Sequence, residues 1–191
     1  MSMNQFLIAN PDRCIGCRTC EIACVLAHAP KDALVRGTLD QDFTPRLRVV
    51  KTATVSAPVQ CRHCEDAPCA NVCPTGAIVS RDHTIQVSAE RCIGCKSCVL
   101  ACPFGVMDMA PQVLAGERQT QPGLKVADGN GGLGKARFVA LKCDLCLGRP
   151  EGPACAGVCP TQALIPVGGQ AMRAATARKR TARVQQLAHL F

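Results

Sequence analysis

Aromatic side chains are nearly missing from this sequence: its 191 residues include five phenylalanines and neither tyrosine nor tryptophan. A chain of this length ordinarily builds much of its core from such groups. Part of the interior must therefore be filled by something other than large side chains. Long apolar runs are missing too, and no stretch approaches the roughly 18 consecutive apolar residues that cross a bilayer. Residues Met1 to Asn10 carry no basic leader, no apolar stretch of signal-peptide length and no twin-arginine pair. These absences predict a cytoplasmic chain without a membrane span. There is no phosphate loop, no dinucleotide fingerprint and no nucleophile beside a base, so a catalytic site of its own is not expected.

Acidic residues are also few, 14 against 22 Lys and Arg, and the formal charge is +8. Such an excess points first to nucleic acid, but no aromatic stacking platform accompanies it. The abundant residue is cysteine, with 16 in the chain. In a secreted protein that density would mean a disulfide scaffold. In a reducing compartment, clustered cysteines are metal sites.

The cysteines fall into four groups of four. They are Cys14, Cys17, Cys20 and Cys24; Cys61, Cys64, Cys69 and Cys73; Cys92, Cys95, Cys98 and Cys102; and Cys143, Cys146, Cys155 and Cys159. The groups alternate in kind. CIGCRTCEIAC at 14–24 and CIGCKSCVLAC at 92–102 agree at seven of eleven positions, and CANVCPTGAI at 69–78 and CAGVCPTQAL at 155–164 at seven of ten. A unit holding one motif of each kind has been duplicated.

A [4Fe–4S] cubane needs one thiolate at each of its four irons. The run C-x2-C-x2-C wraps a tight loop that supplies three. The fourth cysteine begins a helix leading away, so in two-cluster ferredoxins it ligates the other cluster. Group three, followed by Pro103, matches that run, whereas group one has Val25 in place of the proline. Groups two and four lengthen the gap before the third cysteine and end in Cys73-Pro74 and Cys159-Pro160. The proline fixes φ and removes a donor, turning the chain after the last ligand. Zinc ribbons use paired C-x2-C knuckles and do not need this pattern. Four clusters at about −2 each bring about −8. The basic excess is then compensation for buried anions, and no nucleic-acid partner is expected.

Groups two and three are joined by a short segment with hairpin character: Ala77–Val79 and Thr84–Val87 flank a turn at 80–83. Like a contiguous two-cluster ferredoxin, they should exchange fourth ligands. Groups one and four are left to do the same. The expected sets are Cys14, Cys17, Cys20 with Cys159; Cys61, Cys64, Cys69 with Cys102; Cys92, Cys95, Cys98 with Cys73; and Cys143, Cys146, Cys155 with Cys24.

The fold expected is α+β: two ferredoxin-like units, each for two clusters, with one inserted into the other. Residues 1–51 and 111–169 form the outer unit, and 52–110 the inserted one. Residues 170–191 form a basic tail that reads as a helix with Val184, Leu187 and Phe191 near one face. Residues 111–135 read as loop around Gly129–Gly132, and a short helix is expected over Glu21–Ala29. Gly16 and Gly94 sit in cluster loops, either for close backbone approach or for plain turn chemistry. His63, between Cys61 and Cys64, is not needed as a ligand. His28, His83 and His189 read as surface residues; Glu65, Asp66 and Lys142 flank cluster cysteines and read as solvated charges, with tuning of the cluster potentials as the alternative.

The segments CIGCRTCE at 14–21, PRLRV at 45–49, CRHCEDAPCANVCPTGAI at 61–78, RCIGCKSCVLACPFG at 91–105 and KCDLC with GPACAGVCPT within 142–161 span most of the chain. Together they resemble the four-cluster electron-transfer subunits that accompany molybdenum oxidoreductases of the DMSO reductase family and hydrogenases. The resemblance implies crosswise ligation, a role in electron transfer and a catalytic partner of formate dehydrogenase or hydrogenase type. The alternatives are an assembly factor for such an enzyme or an electron-transfer partner of carbon monoxide dehydrogenase. Four cubanes require about 16 iron and 16 acid-labile sulfide per chain. Anaerobic assays should find both, and zinc in place of iron would reject this reading.

Overall fold

The structure is a computed structural model and describes residues 3–29, 43–114, 117–121 and 135–188. The Gly129–Gly132 run, His189 and Phe191 lie outside the described residues. Strand β1 (Phe6–Ala9) leads into the first cysteine group, and helix α1 (Thr19–His28) leaves it. Strands β2 (Leu47–Lys51) and β3 (Ser56–Gln60) form a hairpin that enters the second group, where the short helix α2 (Pro68–Asn71) carries Cys69. Strands β4 (Ile78–Arg81) and β5 (Thr84–Val87) turn through Asp82 and His83, both at positive φ. Helix α3 (Ser97–Ala101) and strand β6 (Asp108–Pro111) follow the third group's loop.

Strands β7 (Val113–Leu114) and β8 (Glu117–Arg118) then pair with each other inside the segment expected to be loop, and an isolated bridge joins Thr120 to Ala136. Strand β9 (Phe138–Leu141) returns to β6 and feeds the fourth group, where α4 (Ala154–Gly157) carries Cys155. Strand β10 (Leu164–Val167) pairs with β1, and α5 (Gly169–Ala188) completes the order. Among the described residues the sheets are five antiparallel two-stranded pairs.

The duplication legible in the motifs extends to strand register. Ala9 pairs with Leu164, and Val87 pairs with Ile78. Ala9 and Val87 each lie five residues before the first cysteine of their loops, and Leu164 and Ile78 each lie five after a Cys-Pro cysteine. The β1–β10 and β4–β5 joints are thus equivalent, one made across the chain and the other by a tight turn. The β2–β3 and β6–β9 pairs are equivalent as well, and Arg48 and Asp108, one from each, meet at 3.3 Å. Both are exposed, so this ion pair contributes little.

Two apolar groups of buried residues form the protein part of the interior. Ile78, Ile85, Met107 and Val139 gather with Cys92 and Cys98, while Leu7, Leu47, Val49 and Leu164 gather with Cys20, Cys24 and Cys155. Neither contains an aromatic ring. Phe43, Phe104 and Phe138 are instead exposed. Helices α2, α3 and α4 have only four or five residues, too short to persist without the packing around them.

Two glycines answer the choice left by the sequence. Gly16 has φ +67° and Gly94 φ +69°, so left-handed turn chemistry holds at both. Both positions are also crowded by neighbouring protein atoms. A Cβ on Gly94 would sit 2.8 Å from the Phe138 carbonyl oxygen, and one on Gly16 would sit 2.5 Å from the Lys51 side chain. A left-handed φ alone costs an alanine ~1–2 kcal/mol. Gly16→Ala should destabilise by about that much, because the lysine can swing aside, and Gly94→Ala by more, because a paired strand carbonyl cannot. Thermal melts of the two loaded variants should rank them in that order.

Candidate metal centres

None of the sixteen cysteines is in a disulfide, and three cavities collect twelve of them, each cavity about 330 Å³ including its open mouth. Cys14, Cys17 and Cys20 line one together with Cys159. Cys61, Cys64 and Cys69 line the second with Cys102. Cys92, Cys95 and Cys98 line the third with Cys73. The remaining four also lie near one another. Cys24 on α1 and Cys155 on α4 share one apolar group. Burial, and then the charges of Cys143, Cys24 and Cys146, push the Cys155 thiol far up.

Local backbone geometry explains the wrapping. Arg18 and Lys96, at equivalent positions after the second cysteine of each loop, adopt φ 62° and 67° and so reverse the chain into α1 and α3. Ala67 and Pro153 play the corresponding part as extended residues before α2 and α4. The Sγ atoms collect backbone donors. Ala77 N–H donates to Cys73 and Ala163 N–H to Cys159, both at 3.2 Å. Arg46 N–H reaches Cys24 at 3.3 Å, and Ala140 N–H reaches Cys92 at 3.4 Å. At Cys73 and Cys159 such contacts favour thiolate over thiol. Burial opposes ionisation of Cys73 and Cys159, yet hydrogen bonds from Thr75 and Ala77, and from Ala163 and Thr161, hold both below the ordinary thiol value.

The donor set fits iron–sulfur chemistry. No histidine or carboxylate lines any of the three cavities, and the remaining walls are largely apolar. Four soft sulfurs around a space this size suit a polynuclear cluster. Burial raises Cys20 and Cys69 to about 11 and Cys143 to about 12, so loading these sites must release protons.

Two side chains expected at the surface are not there. His28 is partly buried: Nδ1 donates to the Cys24 carbonyl at 2.7 Å and Nε2 to Asp144 at 3.0 Å. Arg46 also bonds Asp144. Burial works against charge on His28, but the hydrogen bonds to Asp144 and Cys24 outweigh it and raise the imidazole to about 10. The same partners hold Asp144 well below the usual carboxylate range despite burial. His28, Asp144 and Cys146 lie close enough to resemble a metal site, but Asp144 is already taken by two cations. Lys142 is 3 % exposed rather than solvated, and its ammonium donates to the carbonyls of Ile85 and Cys143. His83 is exposed, as expected. Glu65 accepts from Asn4 N–H at 2.6 Å.

Two further buried groups escaped the sequence. Glu21 accepts from Val49 N–H at 2.6 Å, tying α1 to β2. His63 is 1 % exposed, and its Nδ1 accepts from Ile85 N–H at 2.9 Å. Burial and then the charge of Lys142 lower His63 to about 3, which keeps it neutral. Neither side chain carries a motif, and only the hydrogen-bond pattern reveals them.

Comparison with known proteins agrees with this architecture. The family described as 4Fe–4S dicluster domain matches residues 13–77 and 91–163, and a second family of the same description matches 52–116. The electron transport protein HydN of Escherichia coli (strain K12) is 47% identical over 179 residues, covering 93% of this chain and 96% of that protein. Hydrogenase-4 component A of the same organism is 41% identical over 184 residues, covering 90% and 86%. Among solved structures, the BamBC complex of benzoyl coenzyme A reductase aligns at 20% identity over 86% of this chain and 76% of that one. Its TM-score of 0.36 is too low to establish a shared fold. Among the described residues no helix is long and apolar enough to cross a membrane. The chain belongs to the 4Fe–4S dicluster-domain family, as an iron–sulfur electron transport protein like HydN, with two such domains that together imply four [4Fe–4S] clusters.

Proposed function

We propose that this chain is a non-catalytic relay that carries electrons between an oxidoreductase catalytic subunit and a second redox protein. The observation that carries this reading is that each cysteine-lined cavity draws three thiols from one motif and its fourth from another. Each of the four sets then holds one cluster: Cys14, Cys17, Cys20 and Cys159; Cys61, Cys64, Cys69 and Cys102; Cys92, Cys95, Cys98 and Cys73; Cys143, Cys146, Cys155 and Cys24. In this reading residues 52–110 are a ferredoxin-like unit inserted into one made from 1–51 and 111–169, with 170–191 as an appended tail.

When bound, each cluster supplies a one-electron couple at a potential within roughly −700 to +450 mV. The residues around it anchor it, donate N–H to its thiolates and keep water away, all of which tune that potential. Cys17 and Cys95 are exposed, and Ile15 and Ile93 beside them are 64% and 62% exposed. Those two equivalent loops are natural points of entry and exit, each with an apolar rim for a partner. The name of the relative hydrogenase-4 component A favours a catalytic partner of hydrogenase type, and the motif resemblance adds formate dehydrogenase as the other candidate.

Two outcomes test this reading. Anaerobic reductive titration should deliver about four electrons per chain, and a tagged chain isolated from its own cells should bring down a hydrogenase or molybdenum catalytic subunit; failure to take up electrons sinks the relay. The ligand sets predict that Cys102→Ser perturbs the same electron paramagnetic resonance component as Cys64→Ser. Cys98→Ser, only four residues from Cys102, should perturb a different one.

A further inference from the structure

The residues that lead from β3 and β9 into the second and fourth cysteine groups are unlike. Gln60 immediately precedes Cys61, and Lys142 immediately precedes Cys143. Both are buried, at 1% and 3% exposure. They make equivalent contacts: Gln60 Nε2 donates to the Leu7 carbonyl at 2.8 Å, and Lys142 Nζ donates to the Ile85 carbonyl. Leu7 and Ile85 each lie seven residues before the first cysteine of their loops. The duplicated structure therefore holds an amide at one position and a cation at its counterpart.

Lys142 has no carboxylate to balance it. Among the described residues no ion pair involves it, and Asp144, two residues along, is engaged by His28 and Arg46. Its recorded partners are two carbonyls, those of Ile85 and Cys143. The neighbouring ring of His63 is neutral, because its Nδ1 accepts the Ile85 N–H. A buried, uncompensated ammonium is costly. The groups within its reach are thiols of two sets. Ile85, whose carbonyl accepts from Lys142, lines the cavity of Cys61, Cys64, Cys69 and Cys102, and the Cys143 carbonyl, which accepts from it at 2.8 Å, belongs to the other set.

We propose that Lys142 is the internal counter-ion shared by the clusters of Cys61, Cys64, Cys69, Cys102 and of Cys143, Cys146, Cys155, Cys24, and that it holds their potentials above those they would have with an amide in its place. This rests on the reading that those cysteine sets hold clusters. Reduction adds one electron, taken from the upstream redox partner, to a cluster that is already anionic. A fixed cation beside two of the four favours that added charge at those two.

Redox titrations followed by electron paramagnetic resonance, with iron and sulfide assays on the same samples, test it. Lys142→Gln recreates the side chain that the counterpart position already accommodates. It should retain iron while two of the four components shift to lower potential and the other two stay. Lys142→Arg should restore them. Gln60→Lys should shift the same two upward, and it sacrifices no hydrogen bond at the side-chain oxygen, because Gln60 Oε1 has no partner. Fully loaded Lys142→Gln with unmoved potentials, or with all four moved alike, overturns the inference. If Lys142→Gln loses iron, an unshifted Gln60→Lys overturns it instead. Wild-type protein without iron overturns the cluster reading and this inference with it, and the assays separate that failure from the others.

Discussion

A loop of seven residues can wrap three cysteines round a cavity, but it cannot close the fourth side, because its chain is already departing as a helix. In this protein Arg18 and Lys96 make that departure abrupt, with left-handed backbone directly after the second cysteine. The fourth wall must come from elsewhere: Cys159 from beyond α4 for one cavity, Cys73 from beyond α2 for another. Most of the architecture answers that requirement. The antiparallel joints hold the returning segments beside the loops, and the short helices carry or approach the cavities.

The same requirement accounts for the unusual core. Among the described residues, Leu7 and Ile85 are the only apolar side chains of the five largest that are almost completely buried; the others are His63, Gln60 and Thr84. Each of these polar side chains makes at least one hydrogen bond, although Gln60 Oε1 and His63 Nε2 have no protein partner among the described residues. Here they bond backbone atoms of the segments that must be held together, as Gln60 does with Leu7 and His63 with Ile85. In a chain without tryptophan or tyrosine, stiffness comes from these hydrogen bonds and from the cysteine sets rather than from ring packing.

Much of this was legible in the sequence because cysteine spacing is a direct geometric statement. The grouping, the β4–β5 hairpin, α1 and α5 follow from local pattern. What stayed hidden depends on contacts far apart in the chain. His28 reads as a surface residue in its own segment, since Asp144, which holds it, lies 116 residues away. Lys142 reads as solvated beside its cysteine, since Ile85, whose carbonyl accepts from its ammonium, lies 57 residues away. The β7–β8 pair was missed because two-residue strands leave no periodicity to detect. Helix α5 shows the reverse case. Its pattern was readable, yet none of its residues is buried, so periodicity reported a helix without reporting anything packed against it.

The two equivalent joints differ in one physical respect. Val87 meets Ile78 across a tight turn, whereas Ala9 must wait for Leu164. During synthesis at roughly 5–20 residues per second, that wait is on the order of ten seconds. Through that interval β1 leaves the ribosome as an unpaired edge, with the first loop's cysteines open beside it. The second and third groups already have each other. Biosynthesis therefore exposes the two ends of this molecule unequally, and the early loop is the part that a chaperone or a cluster-delivery protein would have to shelter.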